Sequence, residues 1–323
     1  MTVLVTGGAG YIGMLACAEL AATGRSVRVL DNVLHGQHEQ VAALRAQGVD
    51  VVEGDIRDAD ARGRALVGVD EVVHLAAIVG DPACAVDPEL ARAVNVEGSR
   101  SLVHDARAAG VARMVFASTC SNYGRMADPT VPITEDGTLA PVSLYAEQKV
   151  GIEQALLDDD YAPLLPICVR FATVYGVAPR MRFDLTVNEF TRDLWAGKHL
   201  EVFGEQFWRP YVHVRDAARA VRLVLDTDVD RVGRRVFNVG RSGENYRKLD
   251  LVSEIRKLTD RGEVSFVART EDPRDYKVSF DRIAAELGYA TTMTVPDGIA
   301  EVLAGLEAGL FGDAFSRAHR NTD

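Results

Sequence analysis

A tyrosine and a lysine four positions apart are the residues of this sequence with the clearest potential for proton chemistry. Tyr145 and Lys149 bound the run Tyr-Ala-Glu-Gln-Lys, and residues four apart share one face of a helix. A free phenol titrates near ~10 and is a poor base at neutral pH. A neighbouring ammonium, together with positive charge on a bound ligand, favours the phenolate. Such pairs also occur on solvated helices, so the interpretation depends on the motifs around this one.

A second candidate site lies near the N-terminus, where an apolar run leads into a glycine-rich turn. Residues 3–13 read Val-Leu-Val-Thr-Gly-Gly-Ala-Gly-Tyr-Ile-Gly, which predicts a strand, a tight turn and a helix. Gly7 and Gly10 let backbone N–H groups approach a pyrophosphate, and Gly13 lets the helix pack on the strand. Asp31 ends the next predicted strand, where a carboxylate accepts hydrogen bonds from an adenosine ribose and repels a 2′-phosphate. We therefore expect NAD, and not NADP, as the cofactor.

The elements that must position these residues alternate along the first half of the chain. Short β-branched runs predict strands at 3–5, 27–30, 49–53, 71–75, 113–118 and 166–171. Leu and Ala at helical spacing predict helices at 12–22, 37–46, 59–66, 90–109 and 145–158. This alternation is typical of an α/β fold, a Rossmann-type doubly wound parallel sheet with a ligand crevice at the carboxyl ends of its strands.

The pattern changes after about residue 176. Residues 181–197 predict one helix, 203–214 an irregular strand region and 250–259 another helix. We expect an NAD-binding Rossmann domain of residues 1–175 plus about 206–239. The remainder, about 176–205 and 240–323, is expected to form a smaller mixed α/β lobe.

The composition excludes several classes of protein. The 323 residues include 36 Lys and Arg against 47 Asp and Glu, a net charge of −11, which disfavours nonspecific binding to nucleic acid or to an anionic membrane. A hydrophobic fraction of 47% is that of an ordinary globular enzyme. The four cysteines lack metal-ligand spacing, and the N-terminus resembles no signal peptide. We expect a cytoplasmic protein with reduced thiols and no metal.

Taken in order, these motifs resemble a known family. The glycine turn, Asp31, the run His-Leu-Ala-Ala at 74–77 and the Tyr145–Lys149 pair are similar to those of extended short-chain dehydrogenases/reductases, in the NAD-dependent nucleotide-sugar epimerase/dehydratase family. The resemblance covers nearly the whole chain. It implies that Tyr145 is the base for the sugar 4-hydroxyl, that Thr119 orients that hydroxyl, and that Lys149 binds the nicotinamide ribose. The C4 hydride would pass to NAD and leave a transient 4-keto sugar.

The resemblance also implies the cofactor contacts, which lie in the glycine turn, at the ends of strands and in the catalytic helix. The implied residues are Gly7, Gly10, Tyr11, Ile12, Gly13, Asp31, Asn32, Asp55, Ile56, Leu75, Ala76, Ala77, Asn95, Ser118, Tyr145 and Lys149. Asp55 and Ile56 would flank the adenine, although a turn aspartate and a core isoleucine explain that pair equally well.

Substrate contacts are implied in both halves of the chain. Arg209 lies in a segment similar to the one in which the family's arginine binds the substrate diphosphate, with Pro210 where Asp is common. Two converging guanidiniums would supply the positive charge that a pyrophosphate needs, although each could instead form a surface ion pair. Asp81 and Cys84 depart from the family's usual loop, which leaves the sugar undefined. The implied substrate-binding residues are Asp81, Cys120, Ser121, Asn122, Thr173, Asn188, Arg209 and Arg274.

The residues after Thr119 bear on the reaction that follows oxidation at C4. The family's dehydratases have an Asp-Glu pair there, whereas this sequence has Cys120 and Ser121, which are poor substitutes for paired carboxyl groups. Ser121 also disfavours a glucuronic acid decarboxylase, which usually has Glu. Epimerisation needs no extra acid, because the ketose rotates and receives the hydride on its other face. We expect a nucleotide-sugar 4-epimerase; a 4,6-dehydratase, a 4-ketoreductase and a non-catalytic dinucleotide-binding regulator are the alternatives.

The apolar stripes of helices 90–109 and 145–158 bear on assembly. In the family such helices pair across a two-fold axis into a four-helix bundle, so we expect a homodimer.

Overall fold

The computed structural model describes residues 1–125, 128, 130–268 and 274–321. The chain forms two compact units. The first comprises Met1–Thr119, Ser143–Arg170 and Ala218–Phe237, and the second comprises Cys120–Val142, Phe171–Ala217 and Asn238–Asp323. Segment 206–239 is thus divided: residues 218–237 belong to the first unit, and residues 206–217 and 238–239 belong to the second. Residues 272–273, beside the predicted substrate residue Arg274, lie outside the described residues.

Twelve strands occur in the described part of the chain. They are β1 (Thr2–Thr6), β2 (Ser26–Asp31), β3 (Asp50–Glu53), β4 (Glu71–His74), β5 (Arg113–Thr119), β6 (Leu165–Phe171), β7 (Thr173–Tyr175), β8 (His199–Phe203), β9 (Trp208–His213), β10 (Arg235–Val239), β11 (Asn245–Arg247) and β12 (Glu263–Val267). The six strands predicted in the first half are all present, with ends shifted by at most one residue.

The large sheet has seven strands in the order β10-β6-β5-β4-β1-β2-β3. The pairs β3–β2, β2–β1, β1–β4 and β4–β5 are parallel, with Val5 opposite both Val29 and Val73. Parallel strands joined by helices require the sheet to be covered on both faces. The predicted Rossmann-type α/β class is confirmed.

The helices before residue 160 are α1 (Tyr11–Ala21), α2 (His38–Ala46), α3 (Ala59–Leu66), α4 (Asp81–Val86), α5 (Pro88–Arg92), α6 (Ser99–Ala108) and α7 (Leu144–Asp158). Four predicted helices match α1, α2, α3 and α7 to within one residue. The predicted continuous helix 90–109 is wrong, because a π-helical segment, Ala93–Gly98, separates α5 from α6. Apolar spacing alone does not register the extra residue that a π turn contains.

The core of the first unit lies between its sheet and its helices. Leu4 and Phe116 from the strands pack with Leu102 of α6 and Ile152 of α7, all nearly inaccessible to solvent. Burial of these side chains stabilises the positions of α6 and α7 against the strands from which the predicted site residues emerge.

The second unit is a mixed α/β assembly. It contains a three-stranded sheet, β11-β9-β7, and a two-stranded parallel sheet, β12-β8. Its helices are α8 (Thr186–Trp195), α11 (Lys248–Arg256), α12 (Asp281–Leu287) and α13 (Val295–Glu307). Of the other later helices, α10 (Val229–Val232) belongs to the first unit, and α9 (Val214–Asp226) belongs to it from residue 218 onward. Leu194 of α8, Leu251 of α11 and Ile299 of α13 belong to one apolar core.

The predicted helix 181–197 begins later than expected. The helix starts at Thr186, and residues 181–185 precede it as a non-helical segment. The carbonyl of Arg182 accepts a hydrogen bond from the Asn188 side chain at 2.8 Å, and the Phe183 N–H donates to the His319 carbonyl at 2.7 Å. These tertiary contacts use backbone groups that a longer helix would need.

No helix in the described ranges is long and apolar enough to cross a membrane.

Candidate active site

The glycine turn between β1 and α1 has the geometry that a closely approaching ligand requires. Gly7 has a φ of +73°, and a Cβ there would lie 2.8 Å from the Ala76 nitrogen. A Cβ on Gly13 would lie 2.2 Å from the Gly7 carbonyl oxygen. Gly8, which the sequence analysis did not single out, is equally constrained, because its Cβ would lie 2.4 Å from Val29 Cγ2. A Cβ at these positions would meet backbone or the Val29 side chain, so the close packing of the turn at the end of β1 requires glycine.

The start of α1 fits an anionic ligand. Gly10 is its N-cap and Tyr11 its first residue, and among the described residues no side chain caps this helix. Backbone N–H groups of a first turn lack partners within the helix and favour negative charge. Asp31, at the end of β2, accepts hydrogen bonds from the N–H groups of Ala9 (3.0 Å) and Val33 (2.9 Å). These residues fit the pyrophosphate and ribose of a dinucleotide.

The residues predicted to flank the adenine lie after β3. Asp55 accepts hydrogen bonds from Asn32 Nδ2 at 3.0 Å and from the Arg57 guanidinium at 2.8 and 2.9 Å. The Arg57 hydrogen bonds lower the pKa of Asp55 to about 2. Ile56 is 4% exposed and belongs to the core. The structure therefore links Asn32 and Asp55 directly, while the adenine contacts stay a prediction.

The segment after β4 is held against β1. The N–H of Leu75 donates to the Thr6 carbonyl at 3.1 Å, and the N–H of Ala76 donates to Thr6 Oγ1 at 3.3 Å. His74 lies between Thr6 Oγ1 (2.7 Å) and Ser99 Oγ (2.9 Å). Burial lowers the pKa of His74 to about 3, so this imidazole is neutral and serves packing.

Asn95, in the π-helical segment, holds the backbone of Ile78, which continues the segment after β4. Its Oδ1 accepts from the Ile78 N–H at 2.8 Å, and its Nδ2 donates to the Ile78 carbonyl at 3.0 Å and to Gln148 Oε1 at 2.8 Å. Asn95 was predicted as a cofactor contact. Its side chain here connects residues 77–78 to α7, and Gln148 is a partner that the sequence analysis missed.

The predicted catalytic pair lies on the first two turns of α7. Ser143 caps this helix by accepting a hydrogen bond from the Ala146 N–H. The Lys149 Nζ lies 5.9 Å from the centre of the Tyr145 ring and donates to the Ala117 carbonyl at 2.8 Å. Lys149 is 4% exposed, and burial lowers its pKa from 10.5 to about 8. The lysine charge is therefore poorly solvated and lies close to the phenol that it was predicted to activate.

Thr119 and Ser118 end β5, beside α7. The Ser118 hydroxyl donates to Glu153 at 2.5 Å, and Glu153 forms an ion pair with Arg170 of β6. Ser118 was predicted to contact the cofactor, and the structure places its side chain on this buried ion pair. Glu153 and Arg170 were not predicted. The signal for Glu153 was its position four residues beyond Lys149 on the same helical face.

Asp81 lies at the start of α4, a short helix where the sequence predicted a loop. It accepts a hydrogen bond from the Ser143 hydroxyl at 2.6 Å, so it supports the residue that caps α7. Cys84 is buried, and its thiol donates to the Ile78 carbonyl at 3.4 Å. Burial raises the pKa of Cys84 to about 11, which agrees with a space-filling thiol.

In the second unit, several predicted substrate residues surround a tyrosine that had no predicted role. The Ser121 and Tyr276 hydroxyls lie 3.3 Å apart, and the Arg209 guanidinium lies 5.4 Å from the centre of the Tyr276 ring. Burial raises the pKa of Tyr276, while the charges of Arg209 and Arg274 oppose that change. The structure thus brings Ser121 and Arg209 together around one phenol. Cys120 precedes Ser121 in the chain, and Arg274 lies two residues before Tyr276.

The other predicted substrate residues lie on neighbouring elements of that unit. Asn188 accepts from the Gly176 N–H at 2.9 Å and is fully buried, so it holds the turn after β7. Thr173 pairs with Tyr211 between β7 and β9. Asn122 follows Ser121 in a short 3₁₀ turn and is fully buried. Contacts of these three residues with a substrate stay a prediction.

Comparison with known proteins agrees with this geometry. Residues 3–240 match the sequence profile of the NAD dependent epimerase/dehydratase family. The chain is 32% identical over 314 residues to the UDP-glucose 4-epimerase of Corynebacterium glutamicum, covering 91% of this chain and 92% of that one. It is also 32% identical over 312 residues to the dTDP-glucose 4,6-dehydratase of Streptomyces griseus, covering 93% and 92%. A solved UDP-glucose 4-epimerase of Thermus thermophilus in complex with NAD has a TM-score of 0.83 at 28% identity, over 95% of this chain and 99% of that one.

Proposed function

Because the chain belongs to the NAD-dependent epimerase/dehydratase family, we propose that it is a nucleotide-sugar 4-epimerase that works through a transient 4-keto sugar. The family resemblance expected from the sequence motifs is confirmed, and with it the NAD cofactor. The assignment of individual residues to the site is part of the proposal. It is supported by the glycine turn, the uncapped start of α1 and the Tyr145–Lys149 geometry.

The proposed steps use three side chains of the first unit. Tyr145 removes the proton of the sugar 4-hydroxyl, and Thr119 orients that hydroxyl. The ammonium of Lys149, 5.9 Å from the Tyr145 ring centre, stabilises the phenolate electrostatically. When bound, NAD supplies the acceptor for the C4 hydride and the store from which the hydride returns. Tyr145 then gives its proton back to the new 4-hydroxyl.

The observation that favours epimerisation is the absence of carboxyl groups at the two positions after Thr119. Cys120 is 1% exposed, and the Ser121 hydroxyl lies against Tyr276. Loss of water from a 4-keto sugar needs a base at C5 and an acid at C6. Neither side chain supplies such a pair. Rotation of the ketose and return of the hydride need no further acid.

A 4,6-dehydratase is the second candidate. The Streptomyces griseus dehydratase is as similar in sequence as the Corynebacterium epimerase, so identity alone does not separate the two reactions. A 4-ketoreductase would use the same tyrosine and lysine with NADH as a consumed substrate. The choice among epimerase, dehydratase and ketoreductase therefore depends on the residues after Thr119 and on the products that are formed.

The proposed substrate is a nucleotide-diphosphate sugar bound by the second unit. Arg209 supplies positive charge beside the Tyr276 ring, which suits a pyrophosphate, and Arg274 is proposed as the second cation. The names of the related epimerases favour UDP-glucose and UDP-galactose as the first pair to test.

We also propose a cytoplasmic location and a homodimer formed through α5–α6 and α7. The exposed positions of α7 include Gly151, which permits close packing, beside the polar Glu147 and Gln154.

The test is incubation of the purified protein with UDP-, dTDP-, GDP- and CDP-sugars, followed by mass and isomer analysis. We expect a product of unchanged mass with inverted C4 configuration. Loss of water would instead assign a dehydratase, and a gain of two hydrogens that requires NADH would assign a reductase. Sedimentation at micromolar concentration tests the dimer, and a monomer there refutes it.

A further inference from the structure

We propose that Glu153 is a positioning residue of the catalytic site, which fixes helix α7 in register with the end of strand β5. This inference rests on the proposed roles of Tyr145, Lys149 and Thr119. Glu153 is 1% exposed, which leaves its carboxylate little surface for a ligand. It acts through Ser118, the neighbour of Thr119 in the chain.

Three residues of α7 are spaced so that they share one face of the helix. Tyr145, Lys149 and Glu153 are separated by four residues each, so they lie on one face over successive turns. Lys149 donates to the Ala117 carbonyl at 2.8 Å, and Glu153 accepts from the Ser118 hydroxyl at 2.5 Å. Two turns of the helix therefore hold two consecutive residues of β5.

A third element fixes the carboxylate itself. The Arg170 guanidinium, on β6, donates to both Glu153 oxygens, with Nε at 3.1 and 3.2 Å and Nη2 at 2.5 Å. Glu153 is 1% exposed and Arg170 is 4% exposed. A planar guanidinium that holds a carboxylate through two nitrogens fixes its orientation as well as its position. The glutamate thus joins α7, β5 and β6 at one point beneath the proposed catalytic residues.

A role in stability alone does not account for this arrangement. Replacing a buried ion pair by apolar side chains of similar size is often neutral or stabilising. Apolar side chains cannot, however, accept the Ser118 hydrogen bond. What the carboxylate adds is a directional contact that opposes sliding of α7 along β5. Small displacements of reacting groups reduce rates by as much as about 100-fold.

The test compares two double variants that both lack the ion pair. Glu153→Leu with Arg170→Met removes the charges and the acceptor, whereas Glu153→Gln with Arg170→Met removes the charges and keeps an acceptor for Ser118. We expect kcat of the leucine variant to fall at least about 10-fold with KM changed less than about 3-fold. The glutamine variant should recover kcat to within about 3-fold of wild type. Equal kcat values in the two variants would overturn the proposal.

The matched control is a second buried ion pair at the opposite end of the strands. Glu71, at the start of β4, is fully buried between Arg25 and Arg113. Glu71→Leu with Arg25→Met and Arg113→Met likewise replaces the carboxylate and its arginine partners by apolar side chains, and kcat of its folded fraction should stay within about 2-fold of wild type. An equally large fall in this control would show that loss of any buried pair lowers kcat, and would refute the specific role.

A second measurement separates this inference from the proposed function. The hydrogen bonds from Lys149 to Ala117 and from Ser118 to Glu153 form a tether between α7 and the end of β5. Hydrogen–deuterium exchange of residues 117–119 measures the protection that this tether gives, whether or not any sugar is turned over. Exchange should be at least about 10-fold faster in the leucine variant than in the glutamine variant. Equal protection refutes the tether. Activity absent from wild type, with the exchange difference present, refutes the proposed reaction and leaves the tether supported.

Discussion

Replacement of Lys149 by methionine gives a prediction whose size follows from the burial of the ammonium. Methionine has a similar length and no charge. Burial lowers the Lys149 pKa from 10.5 to about 8. One pKa unit corresponds to about 1.4 kcal/mol, so holding the charged lysine costs the fold about 3 kcal/mol at neutral pH. Lys149→Met removes that cost, and it also removes the hydrogen bond to the Ala117 carbonyl, a loss of about 1–3 kcal/mol.

The pH dependence has a definite sign. Below the folded-state pKa, the lysine is protonated in both the folded and unfolded states, and the full cost is present. As the pH rises from about 8 toward 10.5, the folded state loses its proton first, so the stability of the wild type increases. The variant lacks this titration. Between about pH 7 and pH 9.5, the wild type should therefore gain about 2 kcal/mol relative to Lys149→Met.

Urea unfolding of the NAD-free proteins at the two pH values measures this difference. Taking the difference between wild type and variant cancels the groups that Lys149 does not affect. Two groups whose pKa depends on Lys149 titrate outside the window, His74 at about 3 and Cys84 at about 11. The variant should be inactive at both pH values and close to wild-type stability at the lower one. A stability difference that stays constant across the two pH values would refute the reasoning about the buried charge.

Three other changes test the rest of the site. Tyr145→Phe should lower kcat by about 100-fold or more and leave NAD content unchanged; unaffected turnover would contradict the proposed base. Gly7→Ala should weaken NAD binding and destabilise the protein more than Gly48→Ala does. Both glycines have a positive φ, but only at Gly7 would the new Cβ meet backbone atoms. Equal effects of the two substitutions in unfolding and NAD titrations would contradict this. Wild-type protein should bind NAD at least about 10-fold more tightly than NADP, and Asp31→Asn should reduce that ratio; tighter NADP binding in titrations would refute the role of Asp31.

Much of the first unit could be predicted because local rules and the tertiary structure agree there. The strand, turn and helix around Gly7 follow from residues adjacent in sequence, and the structure gives each glycine a steric reason. The common orientation of Tyr145 and Lys149 could also be predicted, because residues four apart lie on the same face of a helix. In such cases each inference needed only neighbouring residues.

Contacts between distant residues could not be predicted in the same way. The 2.5 Å contact of Ser118 with Glu153 joins residues 35 positions apart, and the role of Tyr276 depends on Ser121, which is 155 positions away. The helix predicted at 181–197 failed for the same reason, because backbone contacts to Asn188 and His319 determine residues 182–183. Sequence spacing identifies faces of elements, but their partners depend on the packed chain.

The π-helical segment Ala93–Gly98 has a consequence for how this region can change in evolution. A π turn contains about one residue more than an α turn, so loss of one residue would convert it to an α turn and leave α5 and α6 in phase. The wide turn itself would be lost, and with it the position from which Asn95 reaches Ile78 and Gln148. Insertions and deletions here should therefore be rarer among active relatives than substitutions, and the length of this stretch carries as much information as its composition.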